Sequence, residues 1–430
     1  MQRFSDKIYK LGIVALKVEL RKLLLIFIVI AALILLLVYY AKQSPVVGHA
    51  RGPEIKNLSW KATKVVNEKV YEVTVSFQAE DPDAPIASAN ITWIPVKYND
   101  LPSEAFPEEE PRSFELIPLN KSLSANFSIT ISGFTGGREY EVRVEVKDLA
   151  GSTQLKTLKI PYLRQYENIA KLDDVLVGAH YYPWYGAGRH WSEGYKGRPL
   201  LGEYDSRNPV VICRHIDWAT GHGIDFLMIS WWGPGTYEDE VLRDQILNCP
   251  LIESIKFAVL YETKGRLKSM NLSDPEDLRI LMNDFEYLRR YFSHPSYLRI
   301  NNKPVVELYL ARELKGDVFK ALSRLRPNVY LLGDLVYWQS PDDSLMKCFD
   351  GVTAYNMHTS VASILSRFED LLRDKYMEWR NASIKEGVDF IPSVIPGFDD
   401  RAVRTGNLPL QRSIERFKEQ LNIALSSSWP

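Results

Sequence analysis

Cysteine is scarce in this chain: three residues in 430, at positions 213, 249 and 348. Cysteines so few and so scattered exclude a disulfide framework or a zinc knuckle. They leave room for one bridge at most, and the expectation is buried thiols. Surplus charge is missing too. Lys plus Arg number 53 against 54 Asp plus Glu, a net charge of -1, without the basic excess that nucleic-acid binding normally requires. No phosphate loop or dinucleotide fingerprint follows a strand-like segment, no His-Glu-x-x-His or spaced His/Cys ligand set occurs, and there is no Gly-x-Ser-x-Gly. Nucleotide, redox and serine-hydrolase chemistry therefore lose their place as leading readings, and no cofactor or metal ion is expected. In bulk the chain is ordinary globular protein, 46% hydrophobic and 25% charged.

Charge is also absent locally. Leu23 to Ala41 reads LLLIFIVIAALILLLVYYA, close to the roughly 20 apolar residues that cross a bilayer as a helix. Arg3, Lys7, Lys10, Lys17, Arg21 and Lys22 precede it, opposed only by Asp6 and Glu19. The positive-inside rule then makes 1–22 a cytoplasmic basic segment and 23–41 a single transmembrane anchor in the lipid bilayer, with everything after Lys42 extracellular. A cleaved signal peptide fits less well, because the run outlasts a normal h-region and no small-x-small site follows. Six Asn-x-Ser/Thr sequons, at Asn57, Asn90, Asn120, Asn126, Asn271 and Asn381, agree with that topology but are common by chance.

Two rhythms divide the rest. Over residues 51–163 the period is two: Tyr71, Val73, Val75 and Phe77, then Tyr140, Val142, Val144 and Val146, alternate with polar residues. Six or seven such short strands predict a β-sandwich of fibronectin-III or immunoglobulin type, with "NDLPSEAFPEEEPR" as an acidic, proline-rich loop. No cysteine pair supports a true immunoglobulin domain. From residue 173 to 430 the rhythm is strand, loop, helix. Seven strand candidates, from "VLVGAHYYPW" through "DFLMISWWG", "IKFAVLYE", "KPVVELYL", "NVYLLGDLVYW" and "GVTAYNM" to "VDFIPSVIPGF", alternate with helical stretches such as "DLRILMNDFEYLRRYF" and "SILSRFEDLLRDKYMEW". The implied fold class is α/β, a (β/α)8-type barrel lacking its last strand. A final helix should bury Ile414, Phe417, Leu421 and Leu425.

Aromatics are what the chain has in plenty, 12% of residues with 23 Tyr and 10 Trp. In a barrel, catalytic and binding groups stand at the C-terminal ends of the strands, and the unusual residues fall there. Tyr181, Tyr182, Trp184 and Tyr185 end the first strand, with His190 and Trp191 beyond. Trp231 and Trp232 end the second, Tyr261 and Glu262 the third. Glu307 and Tyr309 belong to the fourth, Tyr355 and Asn356 to the sixth, and Asp399, Asp400 and Arg404 follow the seventh. A cleft of Trp and Tyr with interspersed carboxylates suits an oligosaccharide, whose apolar CH faces pack on rings while its hydroxyls bond carboxylates. Taken singly, each ring is more simply a core residue, Glu307 a paired structural carboxylate and His190 a loop cap; the pattern repeated across six strands is what points to a site.

"GAHYYPWYG…HW", "LLGEYDSR", "SWWGPG", "FAVLYETKGR" and "DFIPSVIPGFDDRAVR" together resemble glycoside hydrolase family 99, the endo-α-mannosidases, over roughly Val175 to Ile423. The resemblance places Asp400 and Arg404 on the Asp and Arg of the family's last block, Glu262 on a motif carboxylate whose flanking His and Pro are lost, and Tyr355 on a strand-six Tyr. It implies a retaining, cofactor-free enzyme on a (β/α)8 barrel, cutting α-mannose-containing glycans. It also implies that the essential carboxylate pair lies in an Asn-Glu-Trp-His-Glu-Gly segment, which these 430 residues do not contain. The catalytic residues therefore stay unknown. Tyr182, Trp184, Tyr185, His190, Trp191, Trp231, Glu262, Tyr309, Tyr355, Asp400 and Arg404 are expected to bind substrate. The 430-residue chain is expected to be poorly stable and hydrolytically inactive. A non-catalytic glycan-binding protein, or a surface scaffold, is the alternative.

Overall fold

The alternation of the first hundred-odd residues becomes two antiparallel sheets laid face to face. The computed structural model describes residues 51–64, 70–167, 175–195 and 197–428, together with residues 30 and 169. The proposed basic segment and, apart from residue 30, the proposed anchor lie outside the described residues. Among those described, no helix is long and apolar enough to cross a membrane.

One sheet holds β1 (Glu54–Lys64), β2 (Val70–Glu80) and β5 (Ser124–Thr135). The other holds β4 (Arg112–Leu116), β3 (Ile86–Pro95), β6 (Arg138–Asp148) and β7 (Thr153–Leu163), in that order. The alternating residues meet in one core: Val73, Val75 and Phe77 of β2 pack with Ile91 and Trp93 of β3 and Val142 and Val144 of β6. Trp93 stacks across the sheets on Phe134, centroids 5.7 Å apart. At the β5–β6 corner the Tyr140 hydroxyl accepts the Thr135 N–H at 2.7 Å, tying the turn to the strand that leaves it.

The second unit is a curled parallel sheet with helices outside it. Its strands are β8 (Gly178–Tyr181), β9 (Phe226–Trp231), β10 (Lys256–Tyr261), β12 (Lys303–Leu308), β13 (Tyr330–Asp334), β14 (Gly351–Thr353) and β15 (Asp389–Phe390). The two-residue β11 (Arg299–Ile300) pairs antiparallel with β12. Spatial order follows chain order from β8 to β15, as right-handed strand–helix–strand units demand. Each of the seven expected strand segments supplies one strand.

Local chemistry sets the helix ends. Helix α1 (Pro209–Gly221) begins with Pro209 after Asn208, whose side chain accepts the Val210 N–H at 3.1 Å. Helix α2 (Pro275–Phe292) is capped the same way by Asp274 and turns Leu281, Phe285, Leu288 and Phe292 inward. The stretch read as one helix over "SILSRFEDLLRDKYMEW" is two. Arg367 leaves the helical region (φ -132°, ψ 39°), so a single turn at Ala362–Leu365 precedes α3 (Phe368–Glu386). Helix α4 (Ile414–Ser428) buries Gln420, Ile423, Ala424 and Ser427, while Ile414 is 69% exposed. The expected stripe is rotated because the Gln420 side-chain amide turns inward, where its Oε1 accepts the Ile395 N–H at 3.0 Å and supplies a partner to the segment after β15.

One expectation is corrected: Cys213 in α1 and Cys249 are joined in a buried disulfide, and only Cys348 remains a buried thiol. The acidic, proline-rich segment after β3 is a loop, and it is packed: Leu101, Ala105 and Phe106 are buried in the core of the second unit with Val210, Val211 and Ile216. Arg214 of α1 holds it there. Its guanidinium donates to the Ala105 carbonyl at 2.7 Å and to the Gln165 side chain at 2.5 Å, and it lies 4.7 Å over the Phe106 ring. Gly137, at φ +92°, passes so close that a Cβ there would meet the Arg214 guanidinium at 2.3 Å. The sandwich is thereby fixed to the flank of the curled sheet.

Candidate functional site

Side chains alternate across a strand, so each strand sends one parity to the helices and the other into the curl. Ile229 and Trp231, Val259 and Tyr261, and Val306 and Leu308 go outward to the main core. Register then lines up the other parity: Ser230 sits beside Leu260, Leu260 beside Glu307, and Glu307 beside Leu332. One step of two residues further, at the C-terminal ends, the same face carries Tyr182, Trp232, Glu262, Tyr309, Asp334 and Tyr355. The floor beneath is apolar, made of Met228, Ala258, Leu260, Val305 and Leu332.

Three buried carboxylates and an imidazole share this face. His180 Nε2 lies 3.0 and 3.1 Å from the two oxygens of Glu307. Burial by itself would push the imidazole down, but the Glu307 carboxylate carries it above its ordinary value. Asp334 accepts the Leu310 N–H at 2.9 Å, the Tyr355 N–H at 2.8 Å and the Arg312 guanidinium at 3.1 Å. Desolvation, with repulsion from Glu307 next, still raises it to about 6. Glu262 is 3% exposed. The Trp232 indole N–H donates to Ser230 Oγ at 3.0 Å, so the Ser230 hydroxyl donates onward to Glu262 Oε1 at 2.6 Å. Burial, assisted by Glu307 and Asp334, outweighs that hydrogen bond and lifts the Glu262 carboxyl to about 7. The cluster thus holds a carboxyl half-protonated near neutral pH beside a carboxylate–imidazole pair.

Rings close over these groups. Tyr355 stands among His180, Tyr182 and Tyr309, with centroid distances of 5.2, 5.8 and 5.3 Å. Trp184 lies 4.5 Å from Tyr182 and stacks on His190 at 4.5 Å, with Trp232 at 6.3 Å. Its buried indole N–H has no hydrogen-bond partner among the described residues. Tyr185 stacks on Trp191 at 4.1 Å, and the Trp191 indole N–H donates to the Tyr204 carbonyl. His190 holds a left-handed φ of 61° and bonds Glu193 at 2.9 Å. Half-buried ring faces, an indole N–H with no partner and carboxyl oxygens at one cup can grip a polyhydroxylated ring from its face and its edge. Among the described residues no group of three or more His, Cys, Asp and Glu is placed to hold a metal ion.

Not every candidate belongs to the cup. Trp231 does not: its indole is fully buried on the outward parity, between Tyr261 and Tyr287, and donates to Asp239 at 2.7 Å. Its neighbour Trp232 takes the position expected of it. Asp400 lies on the loop after β15, where both its oxygens are taken, by the Asn407 amide at 2.8 and 2.9 Å and by Arg404 at 2.8 Å. Although burial opposes this, those donors hold its carboxyl below the ordinary range. Asp400 and the exposed Arg404 staple that loop, whose Ala402 approaches Gly194 at the rim. His180, Ser230 and Asp334 were missed as site residues, and strand parity was the signal that identifies them.

A curled parallel sheet with acid groups and aromatic rings at the C-terminal ends of its strands is an arrangement that glycosidases use. The sequence profile of Glycosyl hydrolase family 99 matches residues 192–425, and the chain belongs to that family. Similar proteins include the Glycoprotein endo-alpha-1,2-mannosidase of Mus musculus, 25% identical over 230 residues, 49% of this chain and 46% of the relative. The Rattus norvegicus protein of the same name is 23% identical over 343 residues, 68% of this chain and 70% of the relative. The Homo sapiens Glycoprotein endo-alpha-1,2-mannosidase-like protein is 26% identical over 283 residues, 53% of this chain and 58% of the relative. The chain thus spans about half the length of the first of these relatives and up to 70% of the second.

Proposed function

We propose that the cup binds α-mannose-containing glycans, and that the chain serves glycan cleavage of the kind named in its relatives. The observation that carries this is the union, on one strand face, of Glu262, Glu307, Asp334 and His180 with the Tyr182–Trp184–Tyr309–Tyr355 rings. We read the seven sequential parallel strands as those of a (β/α)8 barrel. The three-plus-four strand pairing and the Tyr140 corner support a fibronectin-III class for the sandwich. The uncharged run Leu23–Ala41 behind six basic residues supports a membrane anchor with the remainder extracellular, and the Cys213–Cys249 bridge agrees with an oxidising compartment.

Binding by the cup is separable from turnover and is tested first, on the 430-residue polypeptide. Calorimetric titration with an α-1,2-linked manno-oligosaccharide tests it. Trp184→Ala should weaken binding about fivefold or more, on the order of 1 kcal/mol for one stacking face. Unchanged affinity in a folded variant would remove the cup from glycan recognition. Hydrolysis by the same polypeptide would assign the chemistry to Glu262, Glu307 or Asp334.

A further inference from the structure

One end of the sandwich is capped by the second unit; the other is free and oily. At the capped end lie the β5–β6 turn with Gly137 and the loop carrying Leu101 and Phe106. At the free end three turns meet. Asp81 N–H donates to the Leu123 carbonyl at 2.8 Å, and Leu149 N–H to the Pro85 carbonyl at 2.9 Å. The first turn is capped by exposed Pro82 and Asp83, but the other two carry uncovered apolar residues: Leu119 is 103% exposed, Ile117 75%, Leu149 51% and Leu123 49%. A monomer rarely gathers such residues at one tip without a use for them.

The chain arrives at this same end. Arg51 N–H donates to Asp83 at 2.8 Å in the first turn, and a Cβ on Gly52 would meet Ser152 of the third at 3.3 Å. The run Leu23–Ala41 ends ten residues earlier in sequence, a span of about 35 Å at full extension. Lys121 and Lys147, both exposed, flank the apolar tips, giving the amphipathic edge that settles at a headgroup boundary. We propose that Ile117, Leu119, Leu123 and Leu149 rest in the interface of the bilayer, so that the sandwich stands on the membrane and holds the cup away from it. The proposal rests on the reading of Leu23–Ala41 as an anchor.

Because Cys213 and Cys249 are bridged and Cys348 is buried, a cysteine placed at position 119 can be labelled selectively. Leu119→Cys in the full chain, carrying an environment-sensitive fluorophore and reconstituted in phosphatidylcholine vesicles, should emit blue-shifted. Doxyl-labelled lipid should quench it several-fold more strongly than the same label at Glu72→Cys, an exposed site at the far end of β2. Equal, water-like emission at both sites in a chain that floats with the vesicles overturns the tip contact and leaves the anchor standing. A chain that does not float overturns the anchor and the contact together. Shielding of the 119 label without lipid, rising with protein concentration, overturns it in favour of a protein contact. A glycan found on Asn120 overturns it too, since that sequon lies between the inserted residues.

Discussion

Glutamine at position 262 keeps the shape of the side chain and an oxygen for the Ser230 hydroxyl, and deletes only the ionisation. The wild-type carboxyl ionises at an ordinary 4.5 in the unfolded chain and at about 7 in the folded one. Between those values the native state holds the extra proton, so the unfolded state binds fewer and stability must fall as pH rises through the window. At about 1.4 kcal/mol for each tenfold change in proton affinity, the loss levels off near 3 kcal/mol above pH 7. Glu262→Gln should therefore match the wild type within a few tenths of a kcal/mol at pH 4 and exceed it by about 3 kcal/mol at pH 8.

Asp334, itself raised to about 6, titrates in the same field, which spreads the wild-type curve over a wider pH range. The difference between the two proteins removes most of that common background. Urea unfolding at pH 4, 6 and 8, followed by tryptophan fluorescence, gives the comparison. A difference that does not change with pH, or a wild type that gains on the variant toward pH 8, would refute the argument. Either result would mean that Glu262 is solvated or paired with a cation in the folded protein.

Trp231→Ala should cost about 3–5 kcal/mol of stability yet leave the glycan affinity of the folded protein unchanged; selective loss of affinity would return that indole to the cup. Arg214→Ala, which strips the Ala105 carbonyl and Gln165 of their donor, should cost about 3 kcal/mol and open the 98–111 loop to limited proteolysis. Unaltered protease resistance there would deny Arg214 its role in joining the two units. Replacing Cys213 and Cys249, 36 residues apart, with serine should lower stability by about 4 kcal/mol on the chain-entropy account. Reductant should do the same to the wild type, and indifference to both would show that the thiols do not pair.

The strands were legible because hydrophobic periodicity survives any tertiary context that buries one face. Residues 71–77 and 140–146 alternate in the sequence and in the core, and the seven apolar runs after residue 173 are the seven parallel strands. What escaped was settled by single contacts between distant segments. The loop around Phe106 is polar on average, and its burial of three apolar residues depends on distant partners: the Arg214 guanidinium beneath it, and Arg138 and Tyr140, which hold Pro107 and Glu109. The stripe on α4 was rotated by one amide that had to reach Ile395. Cys213 and Cys249 meet only because α1 and the end of the β9–β10 connection share a wall of the core.

The site was half legible for a reason that lies in two adjacent residues. Trp231 and Trp232 are chemically identical, and composition at the end of a strand cannot separate them. Parity can. Ile229 is two residues before Trp231 and Ser230 two before Trp232, so a strand with helices on its outer face must send Trp231 out with Ile229 and Trp232 in with Ser230. The same rule carries His180 in with Tyr182, and Asp334 in with Leu332. It does not say that Glu262, Glu307 and Asp334 meet, for they belong to three strands and 72 residues separate the first from the last. Their meeting is a consequence of register, Leu260 beside Glu307 and Glu307 beside Leu332, in a sheet that curls toward its polar face. Once three acids share that face away from water, at least one of them must hold its proton more tightly than a free carboxyl does. The proton on Glu262 is therefore produced by the order of the strands rather than by any motif around the residue itself.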